Sequence, residues 1–211
     1  MKFINPEIVS RYFKELSENQ LSSFVKFGRL YEEVNSKINL VSRGDLENLY
    51  ERHILHSLSI AKFISFKDNS RVLDLGTGGG FPGIPLAIFF PRVYFTLIDS
   101  INKKTHVVDS MVDELDLKNV EVVCDRVENY HEKFDFIVSR ATAPMKDLVK
   151  WTRGNLLELD NNMTPNGIIA LKGGDLDDEL RHLSDKPDIV NLSEYFSEDF
   201  FTTKKLVYLK R

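Results

Sequence analysis

The chain has 211 residues, 28 basic and 32 acidic side chains, a formal net charge of -4, 42% hydrophobic residues and a single cysteine. This composition excludes a disordered chain, an internal disulfide and a protein that grips nucleic acid through many phosphates at once. No apolar run approaches the roughly 20 residues a bilayer demands, Lys2, Glu7 and Arg11 break any signal-peptide pattern, and five histidines without CxxC or HExxH spacing give no zinc cage, so the expected setting is the cytoplasm.

Residues 1–70 read as a helical cap. Asn5 and Pro6 suit an N-cap and first turn, followed by an apolar stripe of Ile8, Tyr12, Phe13 and Leu16. A second helix carries Leu21, Phe24, Val25, Gly28, Tyr31 and Val34, and a third begins near Asp45 with Leu46, Leu49, Ile54, Leu58 and Ala61. From Arg71 the pattern changes. Val72–Leu75, Val93–Ile98, Val120–Val123 and Phe134–Val138 are short, apolar and β-branched or aromatic, as strands buried on both faces are. Helices are expected over Gly83–Phe90, Lys103–Leu115 and Met145–Leu157, a central strand over Gly167–Leu171, and a closing antiparallel pair of Leu192–Phe196 with Lys205–Leu209. The alternation predicts an α/β, Rossmann-like domain over residues 71–211 with right-handed crossovers.

The first strand runs into five glycines, Asp74-Leu75-Gly76-Thr77-Gly78-Gly79-Gly80-Phe81-Pro82-Gly83. At that turn of an open α/β sheet, glycine lets backbone approach a nucleotide where a side chain would block it. Gly78, Gly80 and Gly83 satisfy the dinucleotide spacing G-x-G-x-x-G. Asp74 before the loop, the D-x-G-x-G-x-G register through Gly76, Gly78 and Gly80, and the lack of a hydride-transfer site downstream favour S-adenosyl-L-methionine over NAD. No Gly-Lys-Ser/Thr follows, which excludes a Walker loop. Asp99, at the end of the second strand and beside Ser100, is placed to accept ribose hydroxyls; its bland reading is a helix cap. Val127 and Glu128 fall where an adenine would rest. Cys124 reads as a small core hydrophobe.

Several segments together closely resemble the glucose-inhibited division protein B family of bacterial ribosomal small-subunit methyltransferases: Asn39-Leu40-Val41-Ser42, Arg52-His53-Ile54-Leu55-His56-Ser57-Leu58, the glycine loop through Phe81-Pro82-Gly83-Ile84-Pro85, Leu97-Ile98-Asp99-Ser100, Ser139-Arg140-Ala141 and Leu171-Lys172-Gly173. The resemblance implies a class I S-adenosylmethionine-dependent methyltransferase with a seven-stranded, mostly parallel sheet and an N-terminal helical extension. It implies methylation of guanine N7 at position 527, in the 530 loop of 16S ribosomal RNA, with the RNA or small ribosomal subunit as partner; separately, no membrane partner and a monomer are expected. It assigns Gly76 and Phe81 to the methionine side of the cofactor, Asp99 to the ribose, Val127 and Glu128 to the adenosine, and Arg140 to the cofactor or the base. Two positions depart from the family pattern. His56 stands where an Asp is usual, which leaves no carboxylate there, and Gly79 stands where a Pro is usual, which is expected to alter loop stiffness alone.

Guanine N7 has an in-plane lone pair and no proton, so the protein has mostly to supply position. Arg140 is expected to orient the reactants, with Lys172 as a second candidate catalytic residue; a strand-end salt bridge from Arg140 to Asp135 or Asp147 is the bland alternative. Ser139-Arg140-Ala141-Thr142-Ala143-Pro144 replaces the Asn/Asp-Pro-Pro-Tyr/Phe expected of an amine methylase, and Cys124 is the only cysteine a pyrimidine C5 enzyme could use. Ser42, Arg43, Arg52, His53, Lys103 and Lys104 are rim candidates for RNA, although His53 and His56 read more readily as packing residues and solvated helix ends explain the Lys and Arg equally well. A net charge of -4 permits one folded loop to be recognised through a local basic rim. A small-molecule or protein methyltransferase, and a non-catalytic nucleotide sensor, are the alternative readings.

Overall fold

The computed structural model describes residues 6–38, 40, 42–140 and 142–211, without the side chain of Arg43. The proposed cap at Asn5 and the motif positions Asn39, Val41 and Ala141 lie outside them. The first helices among the described residues are α1 (Glu7–Tyr12) and α2 (Glu18–Lys37). The first helix stops short of Leu16. Ser17 then starts α2 through a capping box with Gln20, and the Gln20 amide also donates to the carbonyls of Ile88 and Phe89. The inner face of α2 is Phe24, Phe27, Gly28, Tyr31 and Asn35.

The single third helix expected from sequence is three pieces: α3 (Arg43–Glu47), a π-helical stretch (Leu49–Leu55) and α4 (His56–Phe63). The wider π spacing turns Leu49, Tyr50, Ile54 and Leu55 inward together, which a strict 3.6-residue period would not, and π stretches commonly mark functional segments. Tyr50 reaches back to α2, donating its hydroxyl to the Phe24 carbonyl at 2.9 Å. Its oxygen stands 2.4 Å from where a Cβ would sit on Gly28. We therefore expect Gly28→Ala to cost about 2 kcal/mol through overpacking and to lower the melting temperature by roughly 4–8 °C, measured calorimetrically; an unchanged melting point would show that Tyr50 moves freely.

The sheet strands are β1 (Arg71–Leu75), β2 (Tyr94–Asp99), β3 (Val120–Cys124), β4 (Phe136–Arg140), β5 (Gly167–Gly173), β6 (Asp188–Asn191) and β7 (Lys204–Lys210). Their order is β3-β2-β1-β4-β5-β7-β6, the first five parallel and β7 antiparallel to both neighbours. Between them lie α5 (Gly83–Phe89), α6 (Asn102–Glu114), α7 (Met145–Trp151) and α8 (Asp177–Leu180). The edge partner of β7 is thus Asp188–Asn191, correcting the expectation of a strand over Leu192–Phe196. Leu192 and Phe196, four residues apart, are both buried and bracket a 3-10 turn (Leu192–Glu194), so their spacing is that of a turn face. Helix α7 ends at Trp151, six residues early, because the segment beyond it returns to the sheet, where Leu156 bridges to Phe134.

Strand residues alternate between two cores. Val72, Phe136, Val138, Ile169, Leu171, Leu206 and Tyr208 share one with α1, α2, the π stretch, α4, α5 and α6. Leu73, Ile137, Ile168, Ala170, Val207 and Leu209 form the other with α7 and Leu176. The N-terminal helices therefore pack on the same face as α5, which starts directly after the glycine loop. Among the described residues no helix is long and apolar enough to cross a membrane.

Candidate active site

Strand β1 lies between β2 and β4, so chain crossovers leave it in opposite directions, and a crevice opens beyond the carboxyl ends of the strands at this switch point. A cavity of about 550 Å³ occupies it. Of the candidates named from the sequence, Gly76, Thr77, Gly78, Phe81, Asp99, Ser100, Val127, Glu128 and Arg140 are brought together on its walls.

The loop is drawn over the sheet by amides of Gly76 and Thr77, both donating to the Ile98 carbonyl. Gly76 has a φ of +72°, and a Cβ there would sit 2.4 Å from Thr142 Cγ2. Gly78, at +57°, turns its N–H onto Asp99 Oδ2 at 3.0 Å, and a Cβ there would meet nothing closer than 3.9 Å, so the wall is open toward the cavity. Asp99 Oδ1 accepts the Ile101 N–H at 2.9 Å. Asp99 thus holds the backbone just ahead of α6, and it also lines the cavity.

Asp74 and Gly80 do not line the cavity. Asp74 is fully buried behind the loop, and its Oδ2 accepts the Gly83 N–H at 2.8 Å. Burial pushes its pKa up to about 7 against the pull of the Thr77 hydroxyl and the Gly83 amide; it braces the loop from beneath. Gly80 packs on Ile84, within α5.

At the other end of the cavity, the guanidinium of Arg140 lies 4.7 Å from the centre of the Phe81 ring. Its Nη2 donates to His53 Nδ1 at 3.0 Å and its Nη1 to the Arg52 carbonyl at 3.3 Å. No carboxylate pairs with it among the described residues, so the expected alternative of a bridge to Asp135 or Asp147 is not what is found. Asp135 instead accepts the Arg71 N–H. The partly buried Arg140 has its pKa lowered by burial to about 10, and it stays a cation at neutral pH.

Burial and the adjoining Arg140 push His53 down to about 3, so its Nδ1 is a lone-pair acceptor. Since the free side chain titrates near 6.5, this contribution to stability is complete above about pH 6.5 and is lost progressively as pH falls from 6.5 toward 3. Asp74, raised instead, works in the opposite direction between about pH 7 and 3.8. NMR of the imidazole C2 proton should show His53 neutral at pH 5; a titration centred near 6.5 would contradict its place beside Arg140.

Other predicted residues go elsewhere. Lys172 does not line the cavity: its ammonium bonds to the Ala143 carbonyl and pairs with Glu179 at 2.8 Å, and Glu179 also accepts the Met145 N–H. It fastens the start of α7 to α8. Cys124 is exposed, at the carboxyl end of the edge strand β3, so it is not a core hydrophobe. His56 is buried edge-on against Phe200 and Phe201, 5.5 and 6.1 Å away, and burial holds it neutral. Lys104 is on the cavity wall, and Arg52 stands 3.7 Å from Asp45 with its guanidinium over Phe200. Tyr31, Leu40, Thr142 and Trp151 also line the cavity; their periodicity or isolation in the chain gives no sign of it.

The family model for rRNA small subunit methyltransferase G matches residues 20–207. Curated relatives named ribosomal RNA small subunit methyltransferase G include one from Phocaeicola vulgatus, 50% identical over 96% of this chain and 97% of its own length. Another, from Christiangramia forsetii, is 51% identical over 96% of each. Among solved structures, a SAM dependent methyltransferase from Aquifex aeolicus has a TM-score of 0.56 at 16% identity, covering 80% of this chain and 97% of its own. Aeropyrum pernix fibrillarin, in complex with natively bound S-adenosyl-L-methionine, has a TM-score of 0.53 at 16% identity, covering 74% of each. These two likenesses are of fold.

Proposed function

This chain belongs to the rRNA small subunit methyltransferase G family, and we propose that it transfers the methyl group of S-adenosyl-L-methionine to N7 of a guanine in 16S ribosomal RNA, at position 527 in the 530 loop. The observation that carries this reading is one cavity that is walled at one end by the glycine loop, Asp99 and Val127–Glu128, and at the other by a cation with no carboxylate partner among the described residues.

The residues present suit the cofactor. Gly76 and Gly78 leave backbone where side chains would stand, Asp99 keeps acceptor capacity for ribose hydroxyls, and Ile98 and Val127 offer apolar surface to an adenine. The bound cofactor supplies an electrophilic methyl on a sulfonium. What the protein adds is placement. N7 needs no general base, and Asp74, whose pKa burial raises, is sealed beneath the loop and away from the cavity. As the methyl moves, positive charge grows on the imidazole ring of the guanine, so a cation against N7 would oppose the step. Arg140 is instead stacked on Phe81 and tethered by His53 and Arg52, which restrains it at the side of the site. Lys172, neutralised by Glu179, is assigned no contact with the reacting atoms.

Probing 16S RNA from a strain lacking the gene tests the proposal in the cell. The borohydride- and aniline-sensitive 7-methylguanosine of the 530 loop is expected to disappear and to return on complementation; its persistence would sink the assignment. A small-molecule or protein methyltransferase would instead label a free substrate with no ribosomal RNA present.

A further inference from the structure

Tyr31 belongs to none of the motifs of the sequence. It points inward from α2, has no exposed surface and lines the cavity, yet its hydroxyl has no hydrogen-bond partner among the described residues. A buried hydroxyl without a partner is costly to the fold, which singles it out as a group that a ligand satisfies. The side chain is firmly held. Its ring packs 5.2 Å from Phe81 and 5.7 Å from Phe27, and the hydroxyl oxygen occupies the space a side chain would need at position 79, 2.2 Å from where a Cβ would stand on Gly79. The missing side chain at Gly79 is what admits this hydroxyl. Arg140 lies over the same Phe81 ring, and its charge is felt at Tyr31. Burial raises the phenol above its ordinary range, so the hydroxyl keeps its proton and serves as a donor.

A neutral phenol donor near a guanidinium that no carboxylate pairs among the described residues, against the glycine loop, matches a carboxylate, which accepts several hydrogen bonds at once. We infer that Tyr31 donates its hydroxyl hydrogen bond to the α-carboxylate at the methionine end of the cofactor, with Arg140 as the ionic partner. This rests on the cofactor assignment made above and adds the group that reads its amino-acid end. The guanine O6 is the other acceptor within the same cavity, and the titration below distinguishes the two.

Calorimetric titration with S-adenosylhomocysteine and with 5′-methylthioadenosine, which lacks the amino-acid portion, separates the possibilities. Tyr31→Phe keeps the ring packing and should weaken S-adenosylhomocysteine about tenfold or more while leaving 5′-methylthioadenosine unchanged and the unliganded melting temperature the same or higher. Gly79→Ala, which displaces the hydroxyl, should show the same selective loss. Equal weakening of both ligands would reduce Tyr31 to loop packing and overturn the inference, as would unchanged S-adenosylhomocysteine affinity with a raised KM for RNA, which would turn the hydroxyl toward the base. If the unmodified protein binds neither ligand, it is the cofactor assignment that fails first.

Discussion

Asp99→Ala is expected to weaken S-adenosylhomocysteine binding by about a hundredfold. The carboxylate has two duties: it accepts the Gly78 and Ile101 amides, which hold the glycine loop against the start of α6, and its outer lone pairs are free for two ribose hydroxyls. Hydrogen bonds to a charged acceptor are each worth about 1.5–3 kcal/mol, and about 1.4 kcal/mol is a factor of ten, so losing both ribose contacts accounts for the effect even if the loop stays in place. Asp99→Asn retains one acceptor oxygen without the charge and should fall between the two. Titration calorimetry on the three proteins checks the order. Equal affinity across them would leave Asp99 a helix cap and nothing more.

Arg140→Ala should lower single-turnover methylation of RNA by about 100- to 1,000-fold, the range seen when one preorganised polar group is removed from an active site. The fold should survive. Arg140 has no ion pair to break among the described residues, and truncating it leaves His53 Nδ1 facing a cavity that water can enter. Arg140→Lys should rescue little, because a single ammonium cannot lie flat on Phe81 and reach both His53 and the Arg52 carbonyl. A large fall in melting temperature with normal specific activity would make Arg140 structural.

How much of this was legible in the sequence depended on what each residue has to do. The glycine loop and Asp99 stand out because backbone approach and ribose recognition leave few residue choices, and the structure brings them together across 21 positions of sequence through Gly78 and Asp99. The cluster around Phe81 was not legible, because each member looks like something else alone. Tyr31 keeps the spacing of an ordinary core helix, His53 that of a packing histidine, and only folding α2 and the π stretch over the loop unites them with Arg140. The π stretch itself was hidden, since Leu46, Leu49, Ile54 and Leu58 can be read as one α-helical stripe. Lys172 misled for the converse reason: it ends a central strand beside the site, but the sequence does not reveal that Glu179, seven residues on, neutralises it. At the closing edge of the sheet, Leu192 and Phe196 drew the strand too far along the chain, although the residues that pair with β7, Asp188–Asn191, are mostly exposed and leave a weak apolar signal.

The central claim, methyl transfer to one guanine N7, is tested most directly by incubating the purified protein with S-adenosylmethionine carrying a labelled methyl and small ribosomal subunits or 16S RNA from a strain lacking this modification, then locating the label by aniline cleavage and mass spectrometry. One methyl on N7 of the guanine at position 527 is the result predicted here. No incorporation, or incorporation on another atom or another nucleotide, would contradict it.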